Sequence, residues 1–194
     1  MDACQADDGG AFTNELTASQ NITTNDMTLT PATPVVNDAY YFGSDSTYVQ
    51  VDINLSTQGA GTWTITWEYY NGSAWAALSG VTDGTTGFTA ATGIKSVTFT
   101  LPGDWATVAV NSVTAYWIRA RVSAYTSITT QPKGRQAWVY KSSLDMGANP
   151  VVFRWFEAIS KWYCATATKI YEYDGTYWVQ RWLISGQTIT DMKE

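Results

Sequence analysis

Histidine is missing from the 194 residues altogether. That absence removes the commonest general base, the usual nucleophile–histidine triads and most transition-metal sites. Cysteine is nearly missing too. Cys4 and Cys164 are too few and too far apart to read as a disulfide framework or a zinc site. Two thiols are expected, with one long-range bridge left open. Charged residues make up only 14% of the chain, against about a quarter in ordinary domains. No apolar run approaches the ~20 residues that cross a bilayer, so membrane insertion is not expected. Residues 1–10 lack the basic and apolar regions of a signal peptide, which implies synthesis in a cytoplasm. No window shows a long, capped apolar stripe of helical period.

What the chain does contain is aromatic and turn-rich. Ten Trp and twelve Tyr accompany many Thr, Ser, Asn and Gly, and apolar residues reach 45%. Such a composition supports a real core and an all-β fold. The most informative stretch is 62–78. Trp63, Ile65, Trp67 and Tyr69 alternate with Thr62, Thr64, Thr66 and Glu68, the period of a half-buried strand. Asn71 and Gly72 then favour a hairpin. A two-residue turn would pair Tyr70 with Ser73. A three-residue loop with Gly72 as a bulge would pair Trp67 with Trp75 and Ile65 with Ala77. The second register is preferred because it gathers the aromatic rings on one face.

Further alternating runs surround this hairpin. Val49, Val51, Ile53 and Leu55 are expected to face inward, as are Val97, Phe99 and Leu101. Tyr116, Ile118, Ala120 and Val122 take one side of another strand, with Trp117, Arg119 and Arg121 on the other. A turn or short helix is expected around Trp105. About seven or eight strands follow at sandwich spacing. The predicted organisation is an acidic extended arm over 1–34, an antiparallel, jelly-roll-like β-sandwich over 35–140, a linker over 141–150, and an aromatic β-meander over 151–194. A second hairpin turn is expected at Asp174 and Gly175. The sequence around it echoes the first hairpin, but too briefly to make a repeat.

Charge is distributed unevenly. Residues 1–94 hold ten acids and no base, while residues 95–194 hold eleven bases and seven acids, for a net charge of −6. Either one surface attracts another, within or between subunits, or strands of both halves interleave and the charges mix. No basic cluster suggests nucleic acid.

Chemistry-bearing constellations are few. Glu68 has aromatic neighbours, but glycoside hydrolysis needs a second facing carboxyl and spacing suggests none. The segment 83–87 (Asp-Gly-Thr-Thr-Gly) lacks the acidic density of a calcium loop and reads as a turn. Neither catalysis, a metal nor a cofactor is implied. Tyr70, Trp105 and Trp117 are candidates for stacking on sugar rings or for a subunit contact, and Arg119 and Arg121 for pairing with an acidic neighbour.

Four segments occur in order: Trp-Glu-Tyr-Tyr-Asn-Gly-Ser-Ala-Trp (67–75), Gly-Val-Thr-Asp-Gly-Thr (80–85), Phe-Thr-Leu-Pro-Gly-Asp-Trp (99–105) and Ala-Tyr-Trp-Ile-Arg-Ala-Arg-Val (115–122). The set resembles a β-sandwich domain of tailed-bacteriophage virion proteins, including baseplate, tail and capsid-surface proteins, over about residues 35–140. The resemblance implies a structural or attachment role and carries over no active-site residues. It implies a virion location, other virion proteins or further copies of the chain as partners, and a capsid decoration role. The alternative is a tail or baseplate module that binds host-surface glycan.

Overall fold

The computed structural model describes residues 1–141, 152–156, 161–166, 169–173 and 178–183. In chain order the elements are β1 (Ala3–Asp8), β2 (Ala11–Asn14), the short helix α1 (Leu16–Gln20), β3 (Met27–Thr28), β4 (Ala39–Ser44), β5 (Tyr48–Thr57), β6 (Ala60–Tyr70), β7 (Trp75–Ala77) and β8 (Thr82–Asp83). They continue with β9 (Gly93–Thr98), β10 (Thr107–Val110), β11 (Val113–Thr130), β12 (Lys133–Lys141), β13 (Val152–Phe156), β14 (Lys161–Ala165), β15 (Lys169–Tyr173) and β16 (Trp178–Leu183). The fold is all-β. Two antiparallel sheets pack face to face as a sandwich. One runs β2-β1-β4-β11-β6-β7, with β10 also on β11. The other runs β13-β14-β15-β16-β12-β5-β9-β8, with β3 also on β12.

The core between the sheets follows the sequence period. Trp67 is buried, and Ile65 and Tyr69 pack beside it. Val51, Ile53 and Leu55 meet them from the opposite sheet, together with Val97 and Phe99. Ile118 and Ala120 complete the face of β11. Leu101 departs from the pattern and is exposed: β9 ends at Thr98, so the alternation has no ladder to hold it further. Of the turn or helix expected around Trp105, the turn is present at Gly103 and Asp104, and the strand β10 follows without a helix.

The first 34 residues are not an extended arm. β1 and β2 form a hairpin across Gly9 and Gly10, both at positive φ, with Asp8 paired to Ala11. β1 lies along β4, pairing Cys4 with Phe42 and Ala6 with Tyr40. β3 crosses to the other sheet and pairs with β12. Met1, Cys4, Met27 and Leu29 are all in the main core. Their apolar side chains had no visible period in a polar segment, yet their burial ties the segment down.

The central hairpin also differs from the expected register. Tyr70 pairs with Trp75, Tyr69 with Ala76 and Glu68 with Ala77. The loop is residues 71–74, closed by the Asn71 N–H donating to the Ala74 carbonyl at 3.0 Å. Asn71 Oδ1 accepts from the N–H groups of Ser73 and Ala74, and Gly72 takes φ +94°. Trp75 therefore lies on the outer face of its sheet, not the inner one. There it joins a second apolar layer of Ala3, Ala39, Tyr41, Val110, Ala115 and Trp117.

The C-terminal strands β13–β16 form a meander that continues the second sheet, with Val179 of β16 opposite Tyr140 of β12. Lys169 on β15 reaches back to Asp2 and Asp45, which also hold Lys141. The turn predicted at Asp174 and Gly175 lies outside the described residues.

Candidate functional site

Strand register places Glu68 of β6 directly across from Arg119 of β11, with Arg121 one step along the same face. Glu68 Oε2 accepts from Arg119 Nε at 2.7 Å, and Oε1 accepts from Arg121 Nη2 at 2.7 Å. Arg119 Nη1 also donates to the Tyr41 hydroxyl at 3.2 Å, and its guanidinium lies 4.4 Å from the Trp75 ring centre. Arg121 Nη1 donates to Asn37 Oδ1 at 3.4 Å. The result is a carboxylate clamped between two guanidinium groups beneath an aromatic wall.

Burial pushes the Glu68 carboxyl up, but hydrogen bonds and charge from Arg121 and Arg119 outweigh it and hold the group below its usual range. A proton-donating carboxyl needs the opposite shift. Both oxygens are already committed. The clamp is suited to joining β6 and β11, and its chemistry is not that of an acid catalyst.

The other predicted residues scatter. Trp117 is fully buried, its indole N–H shared between the carbonyls of Val108 and Val113 at 3.1 and 3.3 Å. It cannot stack on a sugar. Trp105 lies between the sheets, with ring centres of Tyr48, Phe99 and Tyr116 within 4.8–6.0 Å, and its N–H donates to the Trp117 carbonyl. Tyr70 is partly exposed beside the hairpin loop and packs edge-on against Trp75 at 5.9 Å. Thus Arg119 and Arg121 come together as a pair, with Tyr70 linked to them through Trp75, while Trp105 and Trp117 are structural.

Asp83 organises the loop after β8. Oδ1 accepts from the Thr85 N–H and hydroxyl, and Oδ2 from the Gly87 N–H and the Trp67 indole. Both oxygens are used in closing a turn, which positions the fully buried Phe88. Among the described residues no group of three or more acidic or thiol side chains converges as a metal site. Cys4 and Cys164 are buried thiols; burial pushes Cys4 up to about 12.

Two exposed indoles lie elsewhere, on the meander. Trp155 and Trp162 face each other across β13 and β14, with ring centres 5.5 Å apart and planes tilted by 54°. They remain 41% and 46% exposed. The sequence left them hidden among aromatic residues on both sides of each strand, so alternation gave no sign of which face is covered. On the reverse face Glu172 gathers Lys161, Arg181 and the Tyr163 hydroxyl. No helix among the described residues is long and apolar enough to cross a membrane. Comparison with protein-family models, curated proteins and solved structures yields no match, so the chain's own chemistry carries the functional reading.

Proposed function

We propose that this chain is a structural accessory subunit of a tailed-phage particle, most readily a capsid decoration protein that assembles with other virion proteins and with copies of itself. The observation that carries this reading is where the aromatic residues go. Tyr40, Phe42, Tyr48, Trp67, Phe88, Phe99 and Trp105 join two sheets, and Tyr41, Trp75 and Trp117 form a second layer outside one of them. Rings that interlock at 5–6 Å on both faces of a sheet suit a rigid part that holds a position. With residues 1–34 folded into the sandwich, assembly would proceed through surfaces such as the Trp155–Trp162 pair and not through a free arm. The test is sedimentation of the purified protein, alone and with capsids or tails lacking it. Self-association or saturable binding is expected; a monomer that binds neither overturns the proposal.

A second reading, recognition of host-surface glycan, is favoured by the same exposed indole pair, because sugar rings stack on indole faces. A glycan array probed with the native chain and with Trp155→Ala and Trp162→Ala decides it. Binding lost in both variants supports recognition. A blank array, with self-association lost in the variants, leaves architecture.

A further inference from the structure

The ion pairs among the described residues fall into three clusters that differ in chemistry. Glu68 faces two arginines, whose guanidinium groups stay protonated and do not attack carboxyl groups. Glu172 faces Lys161 and Arg181, but Lys161 is 43% exposed and no second carboxylate joins it among the described residues. The third cluster holds two carboxylates and two lysines: Asp2, Asp45, Lys141 and Lys169.

Within it Lys141 stands apart, because its side chain is only 2% exposed. Lys141 ends β12 in one sheet, while Asp45 follows β4 in the other. Lys141 Nζ donates to Asp45 Oδ1 and lies 3.3 Å from Asp2 Oδ2. The fully buried Tyr171 ring is 5.6 Å from the same nitrogen. Asp45 Oδ1 also accepts from the Ser46 hydroxyl at 3.1 Å, and Asp45 Oδ2 accepts from Lys169 Nζ at 2.5 Å. Asp2 is held in turn. Its Oδ2 accepts from the Ser44 hydroxyl and the Asp45 N–H, and its Oδ1 lies 2.9 Å from Lys169 Nζ as an ion pair outside hydrogen-bond geometry. A buried amine, a carboxyl group and a second carboxylate thus meet at one point between the sheets.

We infer that Lys141 and Asp45 condense into an isopeptide bond that joins the two sheets, with Asp2 as the proton carrier. Lys141 Nζ forms a bond to Asp45 Cγ, and the bond from Cγ to Oδ1 breaks. Two of the three ammonium protons pass through Asp2 Oδ2 to Oδ1, which leaves as water, and Asp2 ends as it began. No oxidant or cofactor is consumed. The Lys169 ammonium stabilises the negative charge that gathers on Oδ2 in the tetrahedral intermediate. Desolvation drives the step. A buried ion pair gives up hydration that mutual attraction only partly restores, whereas a neutral amide has no such penalty. Lys141 and not Lys169 is the nucleophile, because Lys169 keeps 17% of its side-chain surface in water. The charges left behind remain matched, since Lys169 still faces Asp2. Asp45 is 35% exposed, which gives the released water a way out. The bond closes a loop between residues 96 positions apart and restricts the unfolded chain as a long-range disulfide does.

The test is intact-mass measurement of the full chain, as purified and after refolding from urea and incubation at neutral pH, followed by chymotryptic peptide mapping. The folded chain should weigh one water less than its sequence, and the map should contain a branched peptide joining Lys141 to Asp45. Mapping is required because Asp-Gly sites such as Asp83-Gly84 can also lose water, as succinimides. Lys141→Arg keeps the positive charge and should retain the full mass. Asp2→Asn should slow branching by at least about a hundredfold. Circular dichroism checks that both variants fold, and the mass and map of the native chain decide the question if they do not. A folded native chain at full sequence mass, a branch at Lys169, or a branch formed equally fast by folded Asp2→Asn overturns the inference.

Discussion

Glu68 shows how a single side chain can lose one role and take another. Its aromatic neighbours in sequence raise glycoside hydrolysis, which the spacing leaves without a second carboxyl, and Arg119 and Arg121 occupy both of its oxygens. The arginines retain some solvent contact, with 16% and 19% of their side-chain surfaces exposed. The pair is therefore worth more than a surface ion pair and less than a fully buried one. Glu68→Gln should destabilise the protein by about 2–3 kcal/mol in urea unfolding near neutral pH. The pH dependence has a definite sign. The carboxyl lies below its ordinary value in the folded state, so its contribution is complete above that ordinary value, about 4.3, and is lost as pH falls through the folded value. The stability gap between native chain and variant should shrink in acid. A gap unchanged down to about pH 3 would mean that the ion pairs are not its source.

At the scale of the element, β4 shows why one face of a sheet was legible and the other was not. Alternation in β5, β6, β9 and β11 correctly marked Val51, Ile53, Trp67, Val97, Ile118 and Ala120 as inner residues, because each strand has one dominant apolar parity. β4 has none: Ala39, Tyr40, Tyr41, Phe42, Gly43 and Ser44 are all buried. Its outer face has an apolar layer of its own. The expected hairpin register failed for the same reason, since it assumed that aromatic rings belong on one side. Trp75 is drawn outward to Tyr41, 5.5 Å away. The Gly9-Gly10 pair was a genuine two-residue hairpin signal, obscured by the polar residues around it. Gly43 tests the packing directly. It sits opposite Trp117, and a Cβ there would come within 2.7 Å of the indole. The ring is fully buried with its N–H tied to two carbonyls, so it has nowhere to move. Gly43→Ala should cost at least about 2 kcal/mol, the upper range of overpacking. Near-ultraviolet circular dichroism should change with it as Trp117 shifts. An unchanged spectrum and midpoint would show that β4 and β11 can separate more easily than their packing implies.

Across the whole molecule, the charge asymmetry of the sequence resolves by interleaving. Acids from the first half meet bases from the second at the Glu68 clamp and in the cluster of Asp2, Asp45, Lys141 and Lys169. The chain's beginning is thus required by its end: Asp2 faces Lys141, which is 2% exposed, and Lys169 on the meander. Removing residues 1–34 would strip the edge from β4, uncover Tyr40 and Phe42, and leave the Lys141 ammonium with Asp45 as its one carboxylate among the described residues. Met1, Met27 and Leu29 would be lost from the core, at about 1.5–3 kcal/mol for each buried side chain of that size. Together they rival the whole net stability of a typical domain, about 5–15 kcal/mol. A chain starting at residue 35 should therefore show no cooperative thermal transition by circular dichroism and no fixed near-ultraviolet signal from its tryptophans. An independent arm would predict the reverse, a transition within a few degrees of the full chain. The two outcomes are far enough apart that one melting curve separates a segment that holds the sandwich together from one that only hangs from it.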